Sequence, residues 1–241
     1  MSPFSLAGQT ALVTGANTGI GQAIAVAMGR AGAHVICAGR SSCDETTGLI
    51  DKAEALKLDF ADPMAAEDVF AGRQIDILVN NAGIIRRDDS VDFSQADWDD
   101  VMDVNLKAVF FTCQAFAKAA LPRGHGKIIN IASLLSFQGG IRVPSYTASK
   151  HGVAGLTKIM ANEWAAKGIN VNAIAPGYIE TNNTEALRAD ADRNKAILDR
   201  IPAGRWGKAD DIAETAVFLA APASNYIHGA VLNVDGGWLA R

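Results

Sequence analysis

The segment that most restricts the architecture is Gln9-Thr-Ala-Leu-Val-Thr14, which runs without a break into Gly15-Ala-Asn-Thr-Gly19-Ile-Gly21. A short apolar run closed by a glycine-rich turn reads as a buried strand, and the residues from about Ile20 to Ala31 read as a helix. A strand that passes through such a turn into a helix begins a βαβ unit, because parallel neighbours need a long crossover between them. The junction is also a ready anion site. Glycines let the backbone approach a pyrophosphate, and a helix N-terminus presents N–H groups and the positive end of its dipole. The spacing is GxxxGxG and not the GxGxxG fingerprint, so the turn on its own is equally a tight connection.

Strand-like apolar runs and helical patterns then alternate along the whole chain. Strands are expected at about Thr10 to Thr14, His34 to Ala38, Ala55 to Asp59, Ile75 to Asn80, Lys127 to Ile131, Asn170 to Ala175 and Val231 to Val234. That alternation predicts an α/β chain with a doubly wound sheet of seven parallel strands and helices on both faces. With 241 residues and 49% hydrophobic content, one domain spanning residues 1–241 has enough apolar material for a sizeable core. Ser41 to Glu54 is short for a full crossover, so a trimmed helix is expected there. Residues 182–205 are polar and charged, helical and strand-free, and form an insertion between two core elements.

Several function classes are disfavoured at this point. A net charge of −4 without a basic run offers no electrostatic footprint for nucleic acid or an anionic membrane. No apolar run reaches the roughly 18 residues of a membrane span, and the N-terminus lacks a basic, then apolar, leader, so the cytoplasm is the expected location. Cys37, Cys43 and Cys113 are odd in number and scattered, which suits core packing and not disulfides or a metal site.

Tyr146-Thr-Ala-Ser-Lys150 carries the chemistry. Four residues apart on a helix, the phenol and the ammonium stand on one face. A free tyrosine titrates near about pH 10 and is a poor base unless a cation favours the phenolate. Such a pair also occurs on ordinary solvated helices. Together with Thr14-Gly-Ala-Asn-Thr-Gly-Ile-Gly21, Asn80-Asn-Ala-Gly83, Asn105, Ser133 and Pro176-Gly177, however, it follows the order seen in the short-chain dehydrogenases/reductases, which the chain resembles over almost its full length. Asn80-NAGIIRR-Arg87, Ile131-ASLLSFQGGIRVPSYTASK-Lys150, Ala175-PGYIETNNTEALRAD-Asp190, Ile201-PAGRWG-Gly207 and Asp235-GGWLAR-Arg241 resemble the sugar-acid branch of that family, whose members act on 2-deoxy-D-gluconate or 2-dehydro-3-deoxy-D-gluconate.

The resemblance implies a Rossmann-type fold, NAD or NADP as cofactor, and a role for each matching residue. Tyr146 would move the proton and Ser133 would hold the substrate oxygen. Lys150 would lower the tyrosine pKa and bind the nicotinamide ribose, and Asn105 would open a helix to hold a relay water. Gly15, Asn17, Thr18, Gly19, Ile20 and Gly21 would bracket the pyrophosphate, with Asn81, Ala82 and Gly83 beside the adenosine ribose. Pro176, Gly177, Ile179 and Thr181 would meet the nicotinamide, and Asp59 the adenine edge. Blander readings stand beside these: Ser133 as a strand-end cap, Asn105 as a satisfied polar group, Asp59 as the cap of a helix beginning near Asp62.

Cofactor choice stays divided. No acid follows the second strand to read a ribose, and Arg40 suits a phosphate or would stack on adenine; the sugar-acid branch itself is largely NAD-linked and tips the balance slightly to NAD. For the substrate carboxylate, the arginines expected near the site are Arg86, with Arg87 beside it, Arg142 and Arg205. Gln138, Asn182 and Asn183 would meet hydroxyls. A homotetramer built on the helix from Tyr146 to Lys167 and on the C-terminal segment is expected, with Trp238 either an interface anchor or packed on its own sheet. The rival readings are a 3-oxoacyl carrier protein reductase and a dinucleotide-binding regulator without turnover.

Overall fold

The computed structural model describes residues 2–240, apart from the side chain of Asn183; Arg241 lies outside the described residues. The apolar runs form one sheet of seven strands: β1 (Thr10–Thr14), β2 (His34–Gly39), β3 (Ala53–Lys57), β4 (Ile77–Asn80), β5 (Gly126–Ile131), β6 (Ile169–Pro176) and β7 (Val231–Val234). They lie in the order β3-β2-β1-β4-β5-β6-β7, every pair parallel. The chain lays down β1 to β3 toward one edge and then restarts beside β1 with β4. The switch in direction opens a crevice at the carboxyl ends of β1 and β4, where ligands of open α/β sheets bind.

Strand periodicity explains why both faces are apolar. Ile36, Leu12, Leu78, Ile128 and Val171 are register partners across five strands, and all pack into one core. Their neighbours Val35, Val13, Ile77 and Ile129 pack into the core on the opposite face. The helices that follow are α1 (Gly19–Arg30), α2 (Asp44–Thr47), α3 (Gln95–Met102), α4 (Ala108–Ala120), α5 (Pro144–Trp164), α6 (Glu185–Ala189), α7 (Ala191–Leu198) and α8 (Ala209–Ala220). Helices α4 and α5 cover the first face with Phe116, Val153 and Met160. Helices α1 and α8 cover the second with Ile24, Met28, Ile212 and Leu219. Each fully buried aliphatic chain adds about 1.5–3 kcal/mol of apolar burial, so two filled faces fix the sheet as a rigid platform.

The third strand sits two residues earlier than expected. Its pairing starts at Ala53 opposite Val35 and ends at Lys57 opposite Gly39, where β2 itself stops. Leu58 and Phe60 look like strand residues because they are buried, yet they pack beneath a turn. Asp59 accepts a hydrogen bond from Ala61 N at 3.0 Å within that turn, and no helix begins near Asp62; the chain reaches a 3-10 turn only at Glu67–Phe70. The trimmed helix expected between β2 and β3 is the four-residue α2. The three thiols are free and buried; burial pushes Cys37 and Cys113 up to about 12, which keeps them protonated and unreactive.

Residues 182–205 form a 3-10 turn at Asn182–Thr184 followed by α6 and α7. The base of this segment is closed by a bridge between Ile179 and Gly207. A separate apolar cluster of Leu134, Ile197, Ile201, Trp206 and Trp238 ties it to the platform.

Candidate active site

At the β1–α1 junction, Gly15 and Gly19 have φ of +63° and +59°, a region open to glycine at little cost. Gly21 is needed for a different reason. A Cβ there would lie 2.1 Å from the Gly15 carbonyl oxygen, so only glycine lets the helix close onto the turn. Thr18 at the start of α1 makes no side-chain cap bond, which leaves the first-turn N–H groups for a ligand. Asn81 fixes the other wall: its Nδ2 donates to Thr14 O at 2.9 Å and Gly15 O at 3.2 Å, while Asn81 N and Ala82 N donate to Thr14 Oγ1 at 3.0 and 2.9 Å. The backbone of both walls is held before any ligand arrives.

Strand β5 delivers Ser133 and helix α5 delivers Tyr146 and Lys150. Ser133 Oγ accepts from Leu135 N at 3.2 Å, so the serine does cap the short turn after the strand, and it also hydrogen-bonds Tyr146. Lys150 is buried. Its Nζ donates to Ile131 O at 2.7 Å and lies 5.5 Å from the centre of the Tyr146 ring. Burial holds the amine down at about 8, leaving it charged at neutral pH. Burial raises Tyr146 above its ordinary value, against the Ser133 hydrogen bond and the charge of Arg87, which both pull it down. Arg87 thus adds a charge that favours proton loss from the phenol, and Lys150 lies against the ring with its ammonium drawn to the Ile131 carbonyl.

Asn105 is completely buried in a π turn over Asp103–Lys107 that joins α3 to α4. Its Oδ1 accepts from Ile84 N and its Nδ2 donates to Ile84 O, both at 2.8 Å. The side chain thus pins the strand-end loop beside Gly83.

These elements surround a cavity of about 630 Å³. Gly15, Asn17, Thr18, Gly19, Ile20, Gly21, Asn81, Ala82, Gly83, Ser133, Gln138, Tyr146, Lys150, Pro176, Gly177, Ile179, Thr181 and Asn182 all line it. The side chain of Asn183 lies outside the described residues. Arg40 and Asp59 are exposed and do not line the cavity.

The arginines need correction. Arg142, in the left-handed region with φ +61°, reaches Asp89 at 3.1 Å and Asp88 at 3.5 Å. Arg86 is held by Asp97 at 3.2 Å and Asp100 at 3.1 Å. Arg205 clamps Asp211 through two hydrogen bonds of 2.7 and 3.0 Å, which with the Lys208 backbone N–H hold that carboxyl down at about 2. All three are occupied by carboxylates, and none lines the cavity. The arginines that do are Arg87, Arg193 and Arg200. Arg193 and Arg200 were not among the expected site residues: Arg193 stands on α7 and Arg200 two residues beyond its end, so no helical spacing linked them.

Trp238 is buried within its own chain and is no interface anchor. Its ring lies 4.8 Å from Tyr178, carries the Arg200 guanidinium at 4.0 Å, and its Nε1 donates to Gln138 Oε1 at 3.2 Å. Tyr178 meets Trp206 edge-on at 5.4 Å, and Trp206 Nε1 donates to Asn194 Oδ1 at 2.7 Å. The C-terminal segment thereby joins the covering helices to the cavity wall. Among the described residues no cluster of metal-binding side chains occurs and no helix is long and apolar enough to cross a membrane.

Comparison with known proteins agrees with this geometry. A family model described as enoyl-(acyl carrier protein) reductase matches residues 15–239. A 2-dehydro-3-deoxy-D-gluconate 5-dehydrogenase of Bacillus subtilis is 59% identical, covering 99% of this chain and 97% of that protein. A crystal structure of a candidate 2-deoxy-D-gluconate 3-dehydrogenase of Agrobacterium tumefaciens with bound NADP is 72% identical, with a TM-score of 0.99 over 100% of both chains. A gluconate 5-dehydrogenase of Burkholderia cenocepacia in complex with NADP and tartrate is 38% identical, with a TM-score of 0.93 over 99% of this chain and 98% of the other.

Proposed function

The chain belongs to the short-chain dehydrogenase/reductase family, and from that premise we propose that it interconverts a secondary alcohol and a ketone of a deoxy sugar acid, 2-deoxy-D-gluconate or 2-dehydro-3-deoxy-D-gluconate, with a nicotinamide dinucleotide. The names of the Bacillus and Agrobacterium relatives support the substrate class. The observation that carries the reaction is the convergence of Ser133, Tyr146 and the buried Lys150 amine, which lies against the Tyr146 ring, on the cavity that starts at the glycine turn.

The dinucleotide supplies or takes up the hydride. The chain does the rest. The glycine turn and the uncapped first turn of α1 suit its pyrophosphate, because Gly21 leaves no side chain between them. Ser133 orients the substrate oxygen. In reduction Tyr146 donates its proton to that oxygen, and burial, by keeping the phenol protonated, suits it to the task. In oxidation Tyr146 accepts the proton, aided by Arg87 and by the charged Lys150. Lys150 would also hold the nicotinamide ribose. The π turn at Asn105 interrupts the regular helical bonding, which suits a break in the helix where a relay water would sit.

We assign NADP as the preferred cofactor. Arg40 follows β2, is exposed, and has no ion-pair partner among the described residues, and no acid precedes Ser41 to repel a 2′-phosphate. Arg40→Asp is expected to raise KM for NADPH by about tenfold or more while sparing NADH; equal loss with both would make Arg40 an adenine stack only. The protein acts in the cytoplasm as a homotetramer, with the half-exposed Ile159 on α5 at a subunit contact; light scattering showing a monomer at micromolar concentration would refute the assembly.

The test is turnover of a panel of keto and hydroxy sugar acids with each cofactor. Oxidation or reduction of a deoxy sugar acid is expected. Turnover confined to 3-oxoacyl thioesters, or dinucleotide binding without any turnover, would overturn the reading.

A further inference from the structure

Three arginines line the active-site cavity, and they differ in what they touch. Among the described residues, Arg30, Arg73, Arg86, Arg123, Arg142 and Arg205 are each committed to a carboxylate in an ion pair. Arg87, Arg193 and Arg200 line the cavity, and none of them pairs with a carboxylate among the described residues. Guanidinium groups left unpaired around a cavity suit an anionic ligand, as bidentate donors to a carboxylate.

Arg87 lies at the reacting end, where its charge reaches Tyr146. Arg193 and Arg200 lie on the covering segment, where their charges reach Tyr178. Arg200 is further positioned by its stack on Trp238, which is itself tied to Gln138 and Tyr178. An acid group bound on Arg87 would cancel the charge that eases proton loss from Tyr146 when the base is needed. Bound on Arg193 and Arg200 of the covering segment, it leaves that charge at work. Placement also decides which carbon reacts. A carboxylate and a reacting carbon two bonds apart are separated by roughly 2.5 Å, whereas four bonds span roughly 5 Å when extended, which suits an acid anchored away from Tyr146.

We propose that Arg193 and Arg200 bind the carboxylate of the sugar acid, with Arg87 left free beside the phenol, so that the hydroxyl or ketone that reacts lies at the far end of the carbon chain, as in oxidation at C5 and not at C3. The proposal rests on the deoxy sugar acid reading given above. The two can fail separately: turnover of either acid by the native protein secures the reaction whatever the variants do.

The experiment measures KM and kcat for 2-dehydro-3-deoxy-D-gluconate, its amide and 2-deoxy-D-gluconate, in the native protein and in Arg193→Gln, Arg200→Gln and Arg87→Gln. Arg193 and Arg200 are exposed, so their variants are expected to fold, and circular dichroism checks this. Each should raise KM for the acid about tenfold more than KM for the amide. Arg87→Gln should instead lower kcat for acid and amide alike and move the limb of the pH profile set by Tyr146 to higher pH, with the acid-to-amide KM ratio kept. The native protein should prefer the C5 substrate in kcat/KM. Equal loss for acid and amide in the Arg193 and Arg200 variants, an acid-specific loss in Arg87→Gln, or preference for the C3 substrate would each overturn the assignment.

Discussion

Replacing Lys150 by methionine should remove activity and change the pH dependence of stability, and the size of the effect follows from burial. The amine is held at about 8 against an ordinary 10.5. At about 1.4 kcal/mol per pH unit, keeping it charged inside the fold costs roughly 3 kcal/mol below pH 8. The variant escapes that cost but leaves the Ile131 carbonyl without the 2.7 Å hydrogen bond that Lys150 supplies, a loss of about 1–3 kcal/mol. The two nearly offset at pH 7, so the pH dependence is the sharper readout. A lysine whose folded value lies below its unfolded one binds fewer protons in the folded state between those values, so its cost is complete below about pH 8 and fades as pH rises toward 10.5. Chemical denaturation of both proteins from pH 6 to 10.5, at one protein concentration, should show the native protein gaining on Lys150→Met by up to about 1.4 kcal/mol per unit above pH 8. Lys127, also held down at about 8 by burial, and the raised cysteines are common to both and cancel. A difference that stays flat over this range would mean that Lys150 is not held in the charged, desolvated state described here.

Two further outcomes follow from the same geometry. Gly21→Ala forces a Cβ to within 2.1 Å of the Gly15 carbonyl oxygen, so the glycine turn must open; dinucleotide affinity measured by calorimetry should fall by at least about a hundredfold, and native affinity would show that the turn does not hold the pyrophosphate. Asp211→Asn removes the charged partner of Arg205 at the base of the covering segment, so limited proteolysis within residues 182–205 should speed up at pH 7. In the native protein the same loosening should appear only as pH falls from about 4 toward 2, because the lowered carboxyl keeps its charge above that range; identical cleavage rates in the two proteins would refute the latch.

The fold was legible because its signals are local. Apolar runs of strand length placed all seven strands to within two residues at either end. The third strand lies two residues earlier than Ala55 to Asp59 because the end of β2 at Gly39 decides where pairing stops, and Leu58 is buried without being paired. The glycine turn, Asn81, Ser133, Tyr146 and Lys150 were legible for a related reason, since each sits at the end of a strand or on the first turns of the helix that follows.

The charged residues were harder to read. Arg86 and Arg142 stand close in sequence to residues that line the cavity, yet acidic partners on α3 and at Asp88 and Asp89 occupy them. Arg193 and Arg200 have no neighbouring motif; they reach the cavity because the cluster of Ile197, Ile201, Trp206 and Trp238 sets the orientation of the covering segment. Nothing local in the sequence announces which arginine will find an acid. The same holds for Arg87, which adds its charge to the surroundings of Tyr146 although no spacing in the sequence links the two.

The most direct measurement is the single-turnover rate of 2-dehydro-3-deoxy-D-gluconate with saturating dinucleotide in the native protein and in Tyr146→Phe, with dinucleotide affinity measured alongside. The phenyl ring keeps the packing against Lys150 and removes only the proton carrier. The rate should fall by at least about a hundredfold, the scale of a lost general acid–base group, while dinucleotide affinity stays near the native value. A native-like rate in the variant would contradict the assignment of proton transfer to Tyr146.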